Sequence, residues 1–481
     1  MSLLSALRMN GIVLALVTLT MILPAGTAFF CGETAVIPAF LIPAVICFIL
    51  GISLFLAGRK KKFFLSPRAS FVSVAFCWIT ASLAGALPFV ISGYIPSFTD
   101  AFFESASGFT TTGATILSDV ESLPRSINLW RCQMHWLGGM GIVALTVALL
   151  PFFGVGGFQL IKAETTGPEK GKITPKITMT AKILWFIYFG FTVLETIALM
   201  IAGMDFIDAL SHSFATLGTG GFGLKNASIG GYDSPAIQWI IAVFMLLSGI
   251  NFSLYYHLFH GKIRELTSNT ELKVYLLIVA VCTAVIAFSI LPIYQTIGKA
   301  IRHAFFQVSA IITTTGFSTA DFAKWPPLAQ MLLFFLMFIG GCSGSTGGGV
   351  KVIRWVILSK QMNNEVKRLL HPHGVFTIRL NNQAGRKDVV YSVAGFMYLY
   401  FLLVLITAIV ACLNGIDIFS AFTASLSMVG NIGPGFGAVG PSENFGFFNA
   451  ATKWWFSFAM IAGRLELYTM LVFFTPAFWK R

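Results

Sequence analysis

The chain has 481 residues, of which 56% are apolar and only 11% charged, with a mean hydropathy of +0.81. A water-soluble domain carries about 25% charged residues; too few polar side chains remain here to cover a water-facing surface, so the chain reads as an all-α polytopic membrane protein. The net charge of +13 follows from topology. With the N-terminus in the cytoplasm and the sides alternating, Lys and Arg collect in the inner segments and acidic residues in the outer ones. The runs "RKKK" (59–62) and "KAETTGPEKGKITPK" (162–176) are therefore topology signals and lipid-facing loops rather than nucleic-acid sites.

In chain order, apolar runs near 9–30 and 37–58 predict an N-terminal helix pair. The first is a retained helix and not a signal peptide, because a second span follows at once. Spans then follow in pairs, near 70–93 and 129–152, 178–203 and 236–260, 272–294 and 328–358, and 389–413 and 450–475, each long enough to cross the hydrocarbon. Every pair encloses a related segment: "DAFFESASGFTTTG" (100–113), "DALSHSFATLGTGG" (208–221), "HAFFQVSAIITTTG" (303–316) and "SAFTASLSMVGNIG" (420–433). Ala101, Ala209, Ala304 and Ala421 each stand twelve residues before Gly113, Gly221, Gly316 and Gly433. A helix in so short a segment cannot cross and must leave by the face it entered. Irregular backbone at that depth is tolerated only inside protein or around water.

The predicted architecture is four pseudo-symmetric helix–pore-loop–helix repeats around one pore, plus the N-terminal helix pair. The boundaries are 1–62 for the pair and 63–160, 161–262, 263–370 and 371–481 for the repeats.

Four such loops can present rings of backbone carbonyls that replace the water shell of a cation. Glycine permits positive φ, and threonine adds a stiff χ1 and a hydroxyl oxygen. The half-helices aim their negative ends at the cavity below.

"GGCSGSTGGG" (340–349) places six glycines in ten residues within an apolar span, where each glycine costs about 1 kcal/mol relative to alanine in a helix. The segment is expected to unwind inside the bilayer, as a gate or as a kink. It is not a phosphate-binding loop, since Val350 separates Gly349 from Lys351. Arg464 lies deep in the last apolar span, where a charge is costly; it is read as a clamp on the glycine loop, as a positive charge in the permeation path, or as both. Glu466 is expected to point elsewhere. Glu195 is expected to make a helix-packing hydrogen bond. His135, His257 and Asn251 are expected to be interface or packing residues rather than ligands, and the seven cysteines small packing residues without disulfides or metal. No nucleophile with a base, HExxH or paired carboxylates in a shared motif argues for an enzyme.

The stretches "TTTGAT", "TLGTGGFG", "TTTGFST", "NIGPGFG", "GGCSGSTGGGVKVIR" (340–354) and "GRLELY" (463–468) resemble the membrane subunits of the Trk/Ktr potassium-uptake superfamily, in its TrkH-like branch, over nearly the whole chain. The resemblance implies a K⁺-channel-like pore in a multi-pass protein of the bacterial inner membrane, both termini cytoplasmic. It implies a homodimer and a cytosolic nucleotide-binding regulatory ring (TrkA-like).

Carried over residue by residue, the K⁺ filter comprises Thr111, Thr112, Gly113, Thr219, Gly220, Gly221, Thr314, Thr315, Gly316, Asn431, Ile432 and Gly433. The gate comprises Gly340, Gly341, Gly344, Ser345, Thr346, Gly347, Gly348, Gly349 and Arg464. K⁺ is the bound and transported ion, and no cofactor is expected in this chain. The second and fourth loops lack threonine before the key glycine, so the fourfold symmetry is chemical only at the backbone and the glycine. Gly435 offers an alternative register in the fourth loop, but the twelve-residue spacing favours Gly433. The expected function is potassium uptake gated by a partner; the alternative is K⁺/H⁺ or K⁺/Na⁺ symport through the same pore.

Overall fold

A computed structural model describes residues 3–57, 67–141, 177–381, 383–384 and 387–479. Helices α1 (Leu3–Thr20) and α2 (Ile22–Phe30) run on as one span, and α3 (Ile37–Ala57) returns beside it. The first repeat contains α4 (Pro67–Ser92), the short α5 (Phe98–Phe109) and α6 (Arg125–Gly139). The second contains α7 (Ile177–Ile201), the short α8 (Phe206–Leu217), and α9 (Pro235–Ser248) with α10 (Phe252–Phe259); α11 (Ile263–Ser268) leads out of it. The third contains α12 (Thr270–Tyr294), the short α13 (Ile297–Ile312), α14 (Pro327–Leu336) and α15 (Val352–Leu370). A two-residue hairpin, β1 (Arg379–Leu380) against β2 (Gln383–Ala384), precedes the fourth. That repeat contains α16 (Lys387–Cys412), the short α17 (Ile418–Gly430), α18 (Ala450–Arg464), α19 (Tyr468–Leu471) and α20 (Pro476–Trp479).

Among the described residues, six unbroken helical stretches are long and apolar enough to cross a membrane: 7–30, 34–57, 70–92, 179–201, 270–294 and 389–412. They coincide with six of the ten predicted spans. Their outward faces carry bare apolar side chains such as Phe186 and Phe288, 76% and 80% exposed. Lipid tails cover such surface without penalty; water would not.

Of the other four predicted spans, the second of each repeat, two differ from expectation. The sequence predicts continuous helices at 236–260 and 450–475. Instead α9 and α10 meet at 94° and the 450–464 and 468–474 segments at 115°. The predicted unwinding of the third repeat occurs between α14 and α15. In the first, α6 stops at Gly139; residues 142–176, with the second half of the expected span 129–152 and the basic loop 162–176, lie outside the described residues, as does 59–62. The breaks sit where glycine brings backbone against a neighbouring group. A Cβ at Gly138 would lie 1.8 Å from Phe109 O, and one at Gly463 2.1 Å from Val429 O. These are equivalent contacts, four residues before the key glycine of their own repeats.

The short helices begin at capped outer ends. Ser97 accepts from Asp100 N, Asp205 from Ile207 N and Asp417 from Ser420 N; Thr296 makes no such bond. Ala101, Ala209, Ala304 and Ala421 are fully buried, which is why the repeat keeps a small residue there. Each short helix packs on the first helix of its own repeat, and α5 also packs on α18, α8 on α6 and α13 on α9. The repeats are thereby arranged in cyclic order. Glu33 joins the N-terminal pair to this ring by accepting from the Arg125 and Ser126 backbone N–H groups at 2.7 and 3.1 Å, a carboxylate at the positive end of α6. All seven cysteines are free thiols, and only Cys412 is exposed.

Candidate functional site: four loops and the helix breaks beneath them

The four loops share one backbone conformation. Thr111, Thr219, Thr314 and Asn431 have φ of 56°, 55°, 58° and 53°, and two residues later Gly113, Gly221, Gly316 and Gly433 have φ of 78°, 78°, 81° and 98°. The residue between has negative φ. Alternating handedness turns successive N–H groups to one side. Those of Thr112, Gly220, Thr315 and Ile432 donate back to Ser107, Ala215, Ala310 and Ser427 carbonyls, at 2.9, 2.8, 2.9 and 3.0 Å. Each bond reaches five residues back into the short helix. The donors are thus engaged away from the centre. Among the described residues, no group donates to the carbonyls of Thr112, Gly220, Thr315 or Ile432.

The glycines show how the loops meet. A Cβ on Gly113 would lie 1.9 Å from Gly220 O, one on Gly221 1.9 Å from Thr315 O, one on Gly316 2.1 Å from Ile432 O, and one on Gly433 2.9 Å from Thr112 O. Each glycine therefore faces the carbonyl just before the glycine of the next loop, and the fourth returns to the first. Twelve sequence-predicted residues come together in this closed ring, all in the register that takes Gly433 and not Gly435 as the key glycine.

Side chains support the ring unequally. In the first and third loops, paired hydroxyls brace the backbone: Thr110 with Thr112 at 2.8 Å and Thr313 with Thr315 at 2.7 Å. In the fourth, Asn431 Nδ2 donates to Thr112 Oγ1 at 2.9 Å and to Met460 O at 3.0 Å, and the Ser427 hydroxyl donates to Gly433 O. Behind the first loop lies a fully buried ion pair. Arg131 Nη2 is 2.8 Å from Glu104 Oε1. Glu104 also accepts from the Thr115 hydroxyl and from Ile116 N at 3.0 Å, while Arg131 Nη1 donates to Asn128 Oδ1 at 3.0 Å. Sequence reading missed this pair, although a carboxylate nine residues before the key glycine, past the first turn of a helix too short to span, was a signal.

Beneath the ring, residues 337–351 form an extended loop wedged among three repeats. Cys342 N donates to Gly249 O at 2.8 Å and Gly340 N to Val350 O at 2.8 Å. Gly348 N donates to Thr314 Oγ1 at 2.7 Å, which ties the loop to the filter-like ring itself. Arg464 donates to Thr346 O at 2.7 Å and to Gly138 O and Gly139 O, both at 2.8 Å. Two residues not singled out from the sequence also hold the loop. The buried Lys351 ammonium donates to Gly347 O, and Glu271 Oε1 accepts from Ser343 N and Ile353 N at 2.7 and 3.1 Å. Lys351 is a charge beside the glycine run, whereas Glu271 stands in the polar stretch "TSNTELK" (267–273), where no sequence signal marks it.

Glu466 does point away from Arg464, and pairs with Arg354 at 2.7 Å. Asn251 caps α10 by accepting from Ser253 N at 2.9 Å. Glu195 corrects an expectation: it is fully buried, yet neither carboxyl oxygen has a hydrogen-bond partner among the described residues. The Thr216 hydroxyl beside it is committed to His212 O at 2.7 Å. His135 is buried as expected, but it does more than pack, bonding Gly108 O and Phe222 N.

Residues 36–481 match the TrkH family of cation transport proteins. The chain is 43% identical over 480 residues to the Trk system potassium uptake protein TrkH of Escherichia coli strain K12, with 98% of each chain covered. It is 40% identical over 488 residues to the TrkH of Halomonas elongata, with 100% of each covered. The crystal structure of the potassium transporter TrkH from Vibrio parahaemolyticus superposes with a TM-score of 0.89 at 39% identity, covering 100% of both chains. With the repeated loops, the unwound glycine segment and the half-buried Arg464 all in place, the chain belongs to the TrkH family of cation transport proteins, a family of transporters and not of enzymes.

Proposed function

We propose that this chain takes up potassium ions across the bacterial inner membrane, with Thr111 to Gly113, Thr219 to Gly221, Thr314 to Gly316 and Asn431 to Gly433 as the selectivity filter. The observation that carries the reading is the closed cycle of glycine-to-carbonyl contacts among the four loops. Four short helices commit carbonyls near their C-termini to the loop N–H groups, which leaves the loop carbonyls free to bind a dehydrated cation. The relatives above are named as potassium uptake proteins, which selects potassium among cations.

The glycine segment 340–349, held by Arg464, is the gate. Its backbone lies directly below the ring, and a guanidinium there opposes a cation both sterically and by charge. The chain works as a homodimer with a cytosolic nucleotide-binding ring of the TrkA kind, and both its termini face the cytoplasm. K⁺/H⁺ or K⁺/Na⁺ symport is the second reading, favoured by the buried carboxyl of Glu195, which has no hydrogen-bond partner among the described residues and can carry a proton.

Flux of K⁺, Rb⁺, Na⁺ and Li⁺ into liposomes holding the purified chain, with and without a pH gradient, tests both readings. Uptake in the order K⁺ and Rb⁺ over Na⁺ and Li⁺, indifferent to the gradient, supports the gated pore. Uptake that requires the gradient supports symport. Equal flux of all four ions refutes the filter.

A further inference from the structure

The first and third loops brace themselves with threonine pairs, three residues and one residue before the key glycine. The second loop has Gly218 and Gly220 at those positions. What fills the space comes from the preceding repeat. The ring of His135, on α6, lies over Gly220: a Cβ there would be 2.1 Å from His135 Cγ, and one on Gly218 would be 2.5 Å from His135 O. Gly220 cannot hold a threonine while the His135 ring is present, and at Gly218 the backbone of residue 135 leaves no room for a side chain.

His135 is fully buried and uses both ring nitrogens. Nε2 lies 3.3 Å from Phe222 N, a group that can only donate, so Nε2 accepts. The ring proton is therefore on Nδ1, which donates to Gly108 O at 2.8 Å. The ring also packs on the Phe222 ring, with centroids 4.2 Å apart, and the Arg131 guanidinium lies 4.3 Å from the centroid of that phenyl ring. Phe222 directly follows Gly221, and Gly108 belongs to α5. One imidazole thus links the short helix of the first repeat to the outer limb of the second loop.

We propose that His135 is the positioning residue of the second filter loop, replacing the threonine pair that the loop lacks and fixing where the Gly220 and Gly221 carbonyls stand. The proposal rests on the filter reading above and adds the element that sets one quarter of its selectivity. The loop and the histidine form a matched set: small residues in one, an amphoteric ring in the other.

The test is the Rb⁺-to-Na⁺ uptake ratio of full-length variants in liposomes, with Gly316→Ser as a filter control remote from His135. His135→Leu keeps the bulk but loses both bonds, and the ratio falls about three- to tenfold, the effect of one lost buried hydrogen bond. His135→Gln offers an amide that both donates and accepts, and it restores most of the ratio; a filling role alone would make Leu and Gln alike. Gly220→Thr abolishes discrimination, and His135→Ala with Gly220→Thr recovers part of it by making room for a hydroxyl. Should His135→Leu fail to fold, the Gly220→Thr single and double variants decide between the two roles by themselves. A wild-type ratio in His135→Leu, equal behaviour of Leu and Gln, or no recovery in the double variant overturns the proposal. If Gly316→Ser also keeps the wild-type ratio, it is the filter reading that fails; if only Gly316→Ser loses it, the filter stands and the role of His135 falls.

Discussion

Arg464 donates to the carbonyl of Thr346 at 2.7 Å while its other terminal nitrogen holds Gly138 and Gly139, each at 2.8 Å. One side chain of the fourth repeat thereby ties the glycine loop of the third to the end of α6 in the first. Charge-assisted bonds of this kind contribute about 1.5–3 kcal/mol each. Arg464→Ala removes three of them and a positive charge from below the ring. Basal K⁺ flux without any partner should rise by about tenfold or more, the equivalent of one such bond. Shortening the 340–349 run should act in the same direction. Liposome flux on the isolated chain decides it: basal flux at or below the parent in both variants, with normal folding, would falsify the gate.

The four key glycines of the loops differ in the room around them. A Cβ at Gly113 or Gly221 would meet a carbonyl oxygen at 1.9 Å, at Gly316 at 2.1 Å and at Gly433 at 2.9 Å. Positive φ at all four adds strain for any L-residue. Replacement by serine should therefore reduce K⁺-over-Na⁺ preference in the order Gly113 and Gly221, then Gly316, then Gly433. Competition of Na⁺ against Rb⁺ uptake reads that order. A Gly433→Ser variant as damaged as Gly113→Ser would show that the ring is tighter at the fourth loop than its contacts indicate.

The buried pair Glu104–Arg131 makes a stability prediction. Removing one partner leaves the other charged and desolvated, at a cost of about 3–5 kcal/mol. Glu104→Ala should lower the melting temperature in detergent strongly. Glu104→Gln should lower it less, because its amide oxygen can still accept from Ile116 N. Equal melting of the two variants would mean that the charge, and not the hydrogen bonds around it, dominates.

For the proposed cytosolic partner, the exposed end of α15 and the hairpin after it offer Lys367, Arg368 and Arg379. Among the described residues Arg368 pairs with Glu365, at 2.8 Å and on the surface, an exposed pair that contributes little. Reversing all three to Glu should abolish co-purification with a nucleotide-binding ring of the TrkA kind while leaving the melting temperature unchanged. Retained binding would move the interface away from this face.

The sequence alone determined the class, the repeat and the register. Lipid makes these legible: a spanning helix must be long and apolar, and a segment too short to span must re-enter. The twelve-residue interval from Ala101 to Gly113, and its three copies, records a packing contact and a left-handed backbone position that recur in every repeat. Arg464 was legible because a charge in an apolar run needs a partner nearby. Tertiary structure alone decided which groups meet. Gly113 faces Gly220, 107 residues away in the chain, and no local pattern encodes that cyclic order. The breaks after Ser248 and Arg464 were hidden because each stretch is apolar enough to pass as one span; the helix ends where glycine admits a neighbouring group to its axis. His135 was hidden for the same reason. Its composition suits a packed core, and its two hydrogen bonds exist only because the fold brings Gly108 and Phe222 to opposite edges of one ring.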